Sequence, residues 1–329
     1  MNVTEFLAMK ATEPDKASDY GHTFISMFNQ NKYHWFLKYV MGFESTHKAP
    51  ALLFGGVLHS VLEAWFTVEG AKNGQSLKLL FNELMKQKQT KYKDQDKFRE
   101  DCEKGLPMLM QWANTWAASD NATYDVLECE RVHEVPLANG FTVTIKPDVV
   151  LSEKETGHVV ILEHKSTSFS VNGMYQSVVE QDQATMYEWA ITKDYPERTI
   201  LGVLPDILYK KGNVCKAERP GYISRGPYAL WRLECQLIGL YQDMASRLEA
   251  LQRGVPYEFL FPRNGKDTAY FSDEYGVLDW DKPDPRFVPE GFTCRKDAAK
   301  EFLKGFLVKW NACEKIDWSS WTATMKGAK

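Results

Sequence analysis

Hydrophobic positions recur with two different periods along this chain, and the change of period divides it. From 22 to 42, aromatic and aliphatic residues (Phe24, Met27, Phe28, Trp35, Phe36, Tyr39) fall on one helical stripe. A second stripe over 51–69 carries Phe54, Leu58, Val61, Leu62 and Trp65, and 75–118 reads as mostly helical and polar. Near 124 the period drops to two. Residues 124–151 alternate in the manner of strands and end in FTVTIKPDVVL, polar SEKETG marks a turn, and HVVILEHK runs out as a second strand. Helix returns over 174–192, strand over 199–210 (TILGVLPDILYK), and amphipathic helix over 228–253 and 297–312. The Pro- and Asp-rich stretch 262–290 reads as surface loop. Helices, then a hairpin, then helix and strand predict an α/β or α+β fold rather than a doubly wound repeat. One domain over 1–329 is expected, with a helical part to 123, a sheet core over 124–210, and helices and loops over 211–329.

Composition narrows the class without deciding it. With 44% hydrophobic and 26% charged residues, ten Trp and eighteen Phe, a sizeable packed core is expected. The six cysteines (102, 129, 215, 235, 294, 313) form no CxxC pair, so no zinc knuckle or ribbon is expected. MNVTEFLAMK has no apolar signal core, and ALLFGGVLHSVLEAWF, with His59 and Glu63, is too short and polar to span a bilayer. A cytoplasmic protein with reduced thiols and no membrane association is expected. The net charge of −4 argues against coating nucleic acid through bulk positive charge, yet leaves room for a local basic groove. Nine Lys or Arg against six Asp or Glu between 71 and 105 read as a solvated face.

The hairpin is where chemistry gathers. In HVVILEHK, Glu163 and Lys165 share a face, roughly 6.5 to 7 Å apart, while Val160, Leu162 and His164 face the other way. A turn centred on SEKETG sets Asp148 opposite Ile161 or Glu163, on the face of Glu163; a slip of one residue would turn it away. Opposed carboxylates repel, and one tends to take up a proton. A hard divalent cation reverses that preference and acidifies a bound water. Beside it, Lys165 would orient or deprotonate the water, or stabilise developing charge. These parts suffice for phosphodiester hydrolysis. The same residues also fit a salt-bridged sheet face.

Two further segments flank the hairpin. GGVLHSVLEAWF carries Gly55, His59, Leu62 and Glu63, and EQDQATMYEWA sets Gln183 and Tyr187 one turn apart on a helix. A Gly-then-His helix, a PD strand, an ExK strand and a QxxxY helix, in this order over 52–190, resemble the RecB-like branch of the PD-(D/E)xK nuclease superfamily. That branch includes CRISPR-associated and phage exonucleases. SMFNQNKYHWFLKYV is similar to the family's opening helix, and TILGVLPDILYKKG to the strand after the QxxxY helix. The resemblance implies a restriction-endonuclease-like core, a mixed central sheet flanked by helices, with helical N- and C-terminal additions. It implies a DNA exonuclease that uses Mg²⁺ or Mn²⁺, with His59, Asp148, Glu163 and the backbone carbonyl of His164 as metal ligands. An imidazole ligand makes manganese at least as suitable as magnesium. Lys165 is then the catalytic lysine, and Gln183 and Tyr187 position the DNA or the active-site strand. The His164 side chain, on the other face by parity, is read as structural. Glu63 is either an acceptor orienting the His59 ring or an ordinary surface acid.

The pattern is departed from in one respect. Many relatives hold an iron–sulfur cluster through a cysteine in the opening helix and three near the C-terminus. Here Asn31 stands at the first position and Cys294 and Cys313 are far apart, so no cluster is expected. No P-loop is present, so a helicase, recombinase or annealing partner would supply any unwinding, and no nucleotide cofactor is expected. Lys210, Lys211, Arg225 and Arg232 are candidate DNA contacts, with Tyr209, Tyr228 and Trp231 as stacking rings, against a reading as ordinary surface and core residues. The competing functions are a non-cleaving DNA-end-binding or assembly subunit and a hydrolase of another phosphate substrate.

Overall fold

The computed structural model describes residues 1–12, 20–45, 49–262 and 292–313. Two compact units interleave along the chain: residues 1–18, 46–133 and 145–230 form the first, and 19–45, 134–144 and 231–329 the second.

The first unit is a layered α/β body. Its elements in chain order are helices α1 (Val3–Thr12), α2 (Pro50–Thr67), α3 (Gly74–Lys88) and α4 (Gln95–Thr123); strands β1 (Tyr124–Cys129), β2 (Val149–Glu153) and β3 (Val159–Thr167); helices α5 (Val171–Glu180) and α6 (Asp182–Asp194); and strands β4 (Ile200–Lys211) and β5 (Val214–Glu218). Capping explains where the long helical stretches divide. Asn73 accepts the Ser76 N–H at 2.9 Å to open α3, and Asp94 accepts those of Asp96 and Lys97 at 2.8 and 3.1 Å to open α4. The stretch expected as helix over 75–118 is therefore two helices. The stretch over 174–192 is likewise broken, at the extended Gln181.

The five strands lie in sheet order β1-β2-β3-β4-β5. Every neighbouring pair is antiparallel except β3 and β4, which run parallel and are joined through α5 and α6. The sheet is thus mixed and flanked by helices, as in a restriction-endonuclease-like core. In the hairpin, Val149 pairs with Leu162 and Val150 with Ile161, so paired numbers sum to 311, one of the two registers expected from the turn. The strand β5 has no counterpart in the sequence reading. Gly202 on β4 has φ +110°, and an added Cβ would stand 2.4 Å from the Ile223 carbonyl oxygen. Only glycine fits that close approach.

Two apolar clusters hold this unit together. One joins α2, α3 and α4 through Leu58, Leu62, Phe81, Leu109 and Trp112 and reaches Leu208 of β4; the other packs Val149, Leu151, Val160, Leu162 and Leu204 within the sheet. Each fully buried Leu or Val contributes about 1.5–3 kcal/mol. The even-numbered face of β3 is thereby committed to the core.

In the second unit, the stretch expected as one helix over 22–42 is helix His22–Gln30, a break at Asn31, helix Lys32–Trp35 and a π-helical turn Phe36–Val40. Asn31 is extended, and its side chain accepts the His34 N–H at 3.0 Å, so this asparagine caps a helix. The unit's interior is aromatic: Tyr20, Phe24, Trp35, Phe141, Tyr241 and Phe306 meet edge to face or tilted. Helices Pro227–Gln252 and Lys296–Asn311 match the two expected there. Beyond residue 262, the stretch read as loop lies outside the described residues. Among the described residues no helix is long and apolar enough to cross a membrane.

Candidate active site

The site forms at one end of three adjacent strands. Continuing the pairing of Val149 with Leu162 by one step sets Asp148 opposite Glu163, on the face the sequence predicts. The Asp148 carboxylate takes over the next rung of the ladder, accepting the His164 N–H at 2.7 Å. On its other flank the Asp148 carbonyl accepts the Glu130 N–H at 2.9 Å, one step past the Cys129–Val149 pair. Glu130, Asp148 and Glu163 therefore stand in a row across β1, β2 and β3, about 4.8 Å from strand to strand. From α2, the His59 ring donates through Nδ1 to Asp148 Oδ1 at 3.1 Å.

The donor atoms of His59, Glu130 and Asp148 lie within 4.8 Å of one another, the one such group of three found among the described residues. Glu130 was not anticipated from the sequence. A bulge between Val126 and Glu128 shifts the register of β1, and Glu130 itself adopts φ +51°. Alternation alone would have set Cys129 opposite Asp148. Glu130 is also ion-paired with Lys146.

Glu163, expected to share a cation with His59 and Asp148, stands outside that trio. Its Oε1 accepts from Lys165 Nζ at 2.5 Å, and its Oε2 is buried without a hydrogen-bond partner. Lys165 reaches further to Gln183 Oε1 at 3.2 Å, and Gln183 donates from Nε2 to the Tyr187 hydroxyl at 2.8 Å. The two Gln183 bonds fix its amide orientation, oxygen towards the ammonium. Helix α6 so delivers the QxxxY pair to the lysine.

Charge states follow from crowding. Burial alone would depress the His59 imidazolium, but the Asp148 charge and hydrogen bond override it and raise its pKa to about 9. Burial would push Asp148 up, yet His59 and Lys165 hold it well below the usual carboxylate range. Glu163 moves the other way, raised by burial and by the Asp148 charge despite Lys165. Two carboxylates driven apart in this manner mark negative charge crowded into one buried place, which a further cation would relieve. A divalent cation fits: the donors are one imidazole and carboxylates, and a buried carboxylate oxygen awaits a partner.

Other expected residues are placed differently. The His164 side chain is buried on the opposite face, as parity predicts, and donates from Nδ1 to Asp206 at 3.0 Å. Glu63 is ion-paired to Lys10 at 2.7 Å, and the carboxylate that meets the His59 ring is that of Asp148. Arg225, a candidate DNA contact weighed against an ordinary structural residue, donates inside the fold to Thr185 Oγ1 at 3.1 Å and the Val179 carbonyl at 2.6 Å, tying α5 to α6. Lys210 and Lys211 end β4, half-buried and exposed respectively. Arg232 is exposed on Pro227–Gln252. Of the rings, Tyr209 and Trp231 are half-buried and Tyr228 is exposed.

A family model of the PD-(D/E)XK nuclease superfamily matches residues 22–255. No curated protein matches the chain.

Proposed function

The chain belongs to the PD-(D/E)XK nuclease superfamily, and on that premise we propose that it is a metal-dependent exonuclease of the RecB-like branch. It hydrolyses phosphodiester bonds in single strands or at DNA ends, in recombination, repair or phage DNA processing. The observation that carries this reading is the row of three carboxylates, flanked by His59 and Lys165, in which the buried Glu163 Oε2 lacks a partner.

His59, Glu130 and Asp148 would hold the cation, with Glu163 Oε2 and the His164 carbonyl beside it. When bound, Mg²⁺ or Mn²⁺ supplies Lewis acidity and lowers the pKa of a coordinated water. The protein's own groups do the rest. Asp148, held well below the usual carboxylate range, is ionised at neutral pH and so is ready to accept a cation. Lys165, clamped between Glu163 and Gln183, orients the attacking water or meets charge developing on the phosphate. Tyr187, buried and bonded to Gln183, keeps that amide turned to the ammonium.

The test uses end-labelled single-stranded and duplex DNA with Mn²⁺, Mg²⁺ or EDTA, beside Glu163→Ala and Lys165→Ala. Cleavage of DNA that requires the cation and both side chains is expected. Cleavage that survives EDTA would sink the mechanism, and binding without any cleavage would favour a non-cleaving DNA-end subunit.

A further inference from the structure

We propose that the ring of Phe169 stacks on an unpaired nucleobase of the substrate, which makes a single strand the form engaged next to the cation site; this rests on the nuclease reading above. Phe169 is 89% exposed, the most exposed large apolar side chain in the described residues. Single exposed apolar residues are ordinary, so position has to carry the inference. Glu163, Lys165 and Thr167 alternate along one face of β3, and Phe169 follows directly where that strand ends. Four residues reach at most about 14 Å, so the backbones of Phe169 and Lys165 stand no more than that apart, a span of a few nucleotides.

The corner that carries the ring is fixed. Thr167 Oγ1 accepts the Phe169 N–H at 3.1 Å, and Ser170 Oγ accepts the Gly173 N–H at 2.9 Å to cap α5. A bare aromatic ring is therefore held out on a backbone pinned at both sides. In the parallel register Thr167 neighbours Tyr209, so a second, half-buried ring borders the same strand ends. Phenylalanine offers no hydrogen-bonding group to read base edges. What it offers is a face for stacking, tolerant of sequence and closed to a base stacked on both sides inside a duplex.

Binding is measured in a Lys165→Met background, so that bound DNA is not cut, by fluorescence anisotropy. The probes are a labelled oligothymidylate and an abasic phosphodiester of the same length. Phe169→Ala is expected to weaken the oligothymidylate about 10-fold and leave the abasic strand unchanged, with Phe169→Trp restoring the difference. With Lys165 intact, Phe169→Ala raises KM and keeps kcat. Equal loss on both probes, or loss on neither, overturns the proposal. So does a change of oligomeric state with DNA binding intact, which would make the ring a contact between copies. If the unmodified chain cleaves DNA and Phe169→Ala behaves identically, stacking fails and the nuclease reading stands. If the unmodified chain neither binds nor cuts DNA, both fall.

Discussion

Two buried ionic clusters sit on opposite faces of the same short run of β3, and they are finished to different degrees. On the even face, Asp206 accepts from Trp112 Nε1 at 2.6 Å, His164 Nδ1 at 3.0 Å and Arg219 Nε at 3.1 Å. Arg219 in turn grips Asp120 through two bonds, at 2.6 and 2.8 Å. Both Asp206 oxygens are taken. On the odd face, three carboxylates share a row, and one of their oxygens is buried with nothing to accept from. On the even face the carboxylates are saturated from within and the one buried atom without a partner is the neutral-capable His164 Nε2, whereas on the odd face it is a carboxylate oxygen, the atom a cation would seek.

That contrast can be broken most sharply with activity. Lys165→Ala is expected to lower cleavage about 10²–10⁴-fold while costing less stability than Asp206→Asn, because Glu163, already shifted upward by burial, can take up a proton when its partner is removed. Single-turnover cleavage and urea denaturation read the two quantities. A still-folded Asp206→Asn protein that lost as much activity would dissolve the distinction.

The reverse pattern is expected on the other face. Asp206→Asn leaves the Arg219 guanidinium buried with half its countercharge and costs about 3–5 kcal/mol of stability. An unchanged denaturation midpoint would show the even-face cluster to be dispensable. Acid sharpens the same point. Burial would raise the Asp206 pKa, but Arg219 and His164 hold it down at about 2. Because the native value lies below the unfolded one, its contribution is present above about pH 4 and fades as pH falls towards 2. It amounts to about 2 kcal/mol, and Asp206→Asn should flatten that limb of an acid titration followed by circular dichroism.

The smallest effect tests the unanticipated ligand. Glu130→Gln is expected to weaken Mn²⁺ binding about 10-fold in calorimetry, with Mn²⁺ raising the melting temperature of the unmodified protein correspondingly more. Equal affinities would remove Glu130 from the site.

What could be read in advance follows the same physics. Alternation with period two is local, so the shared face of Glu163 and Lys165 was legible in six residues, and the short turn set Asp148 against them. Glu130 was hidden because a bulge and a left-handed backbone break alternation, and neither Val126 nor Glu128 announces one. The even-face cluster depends on residues 112, 120, 164, 206 and 219 meeting across the fold, which no local pattern encodes. A visible hint was Asp206 itself, a lone acid inside the apolar run LGVLPDIL. Helix breaks were legible only as caps: Asn73 and Asp94 carry the right side chains, whereas Gln181 carries no signal.

The bulge in β1 has a chemical consequence beyond bending an edge strand. It decides whether oxygen or sulfur faces Asp148, since molecules that pair without it would present the Cys129 thiol in place of Glu130. A misregistered fraction would then betray itself by capturing thiophilic ions such as cadmium at this site, which in the correctly assembled protein has no thiol among its donors. Fidelity of strand pairing and choice of element are, at this edge, the same property.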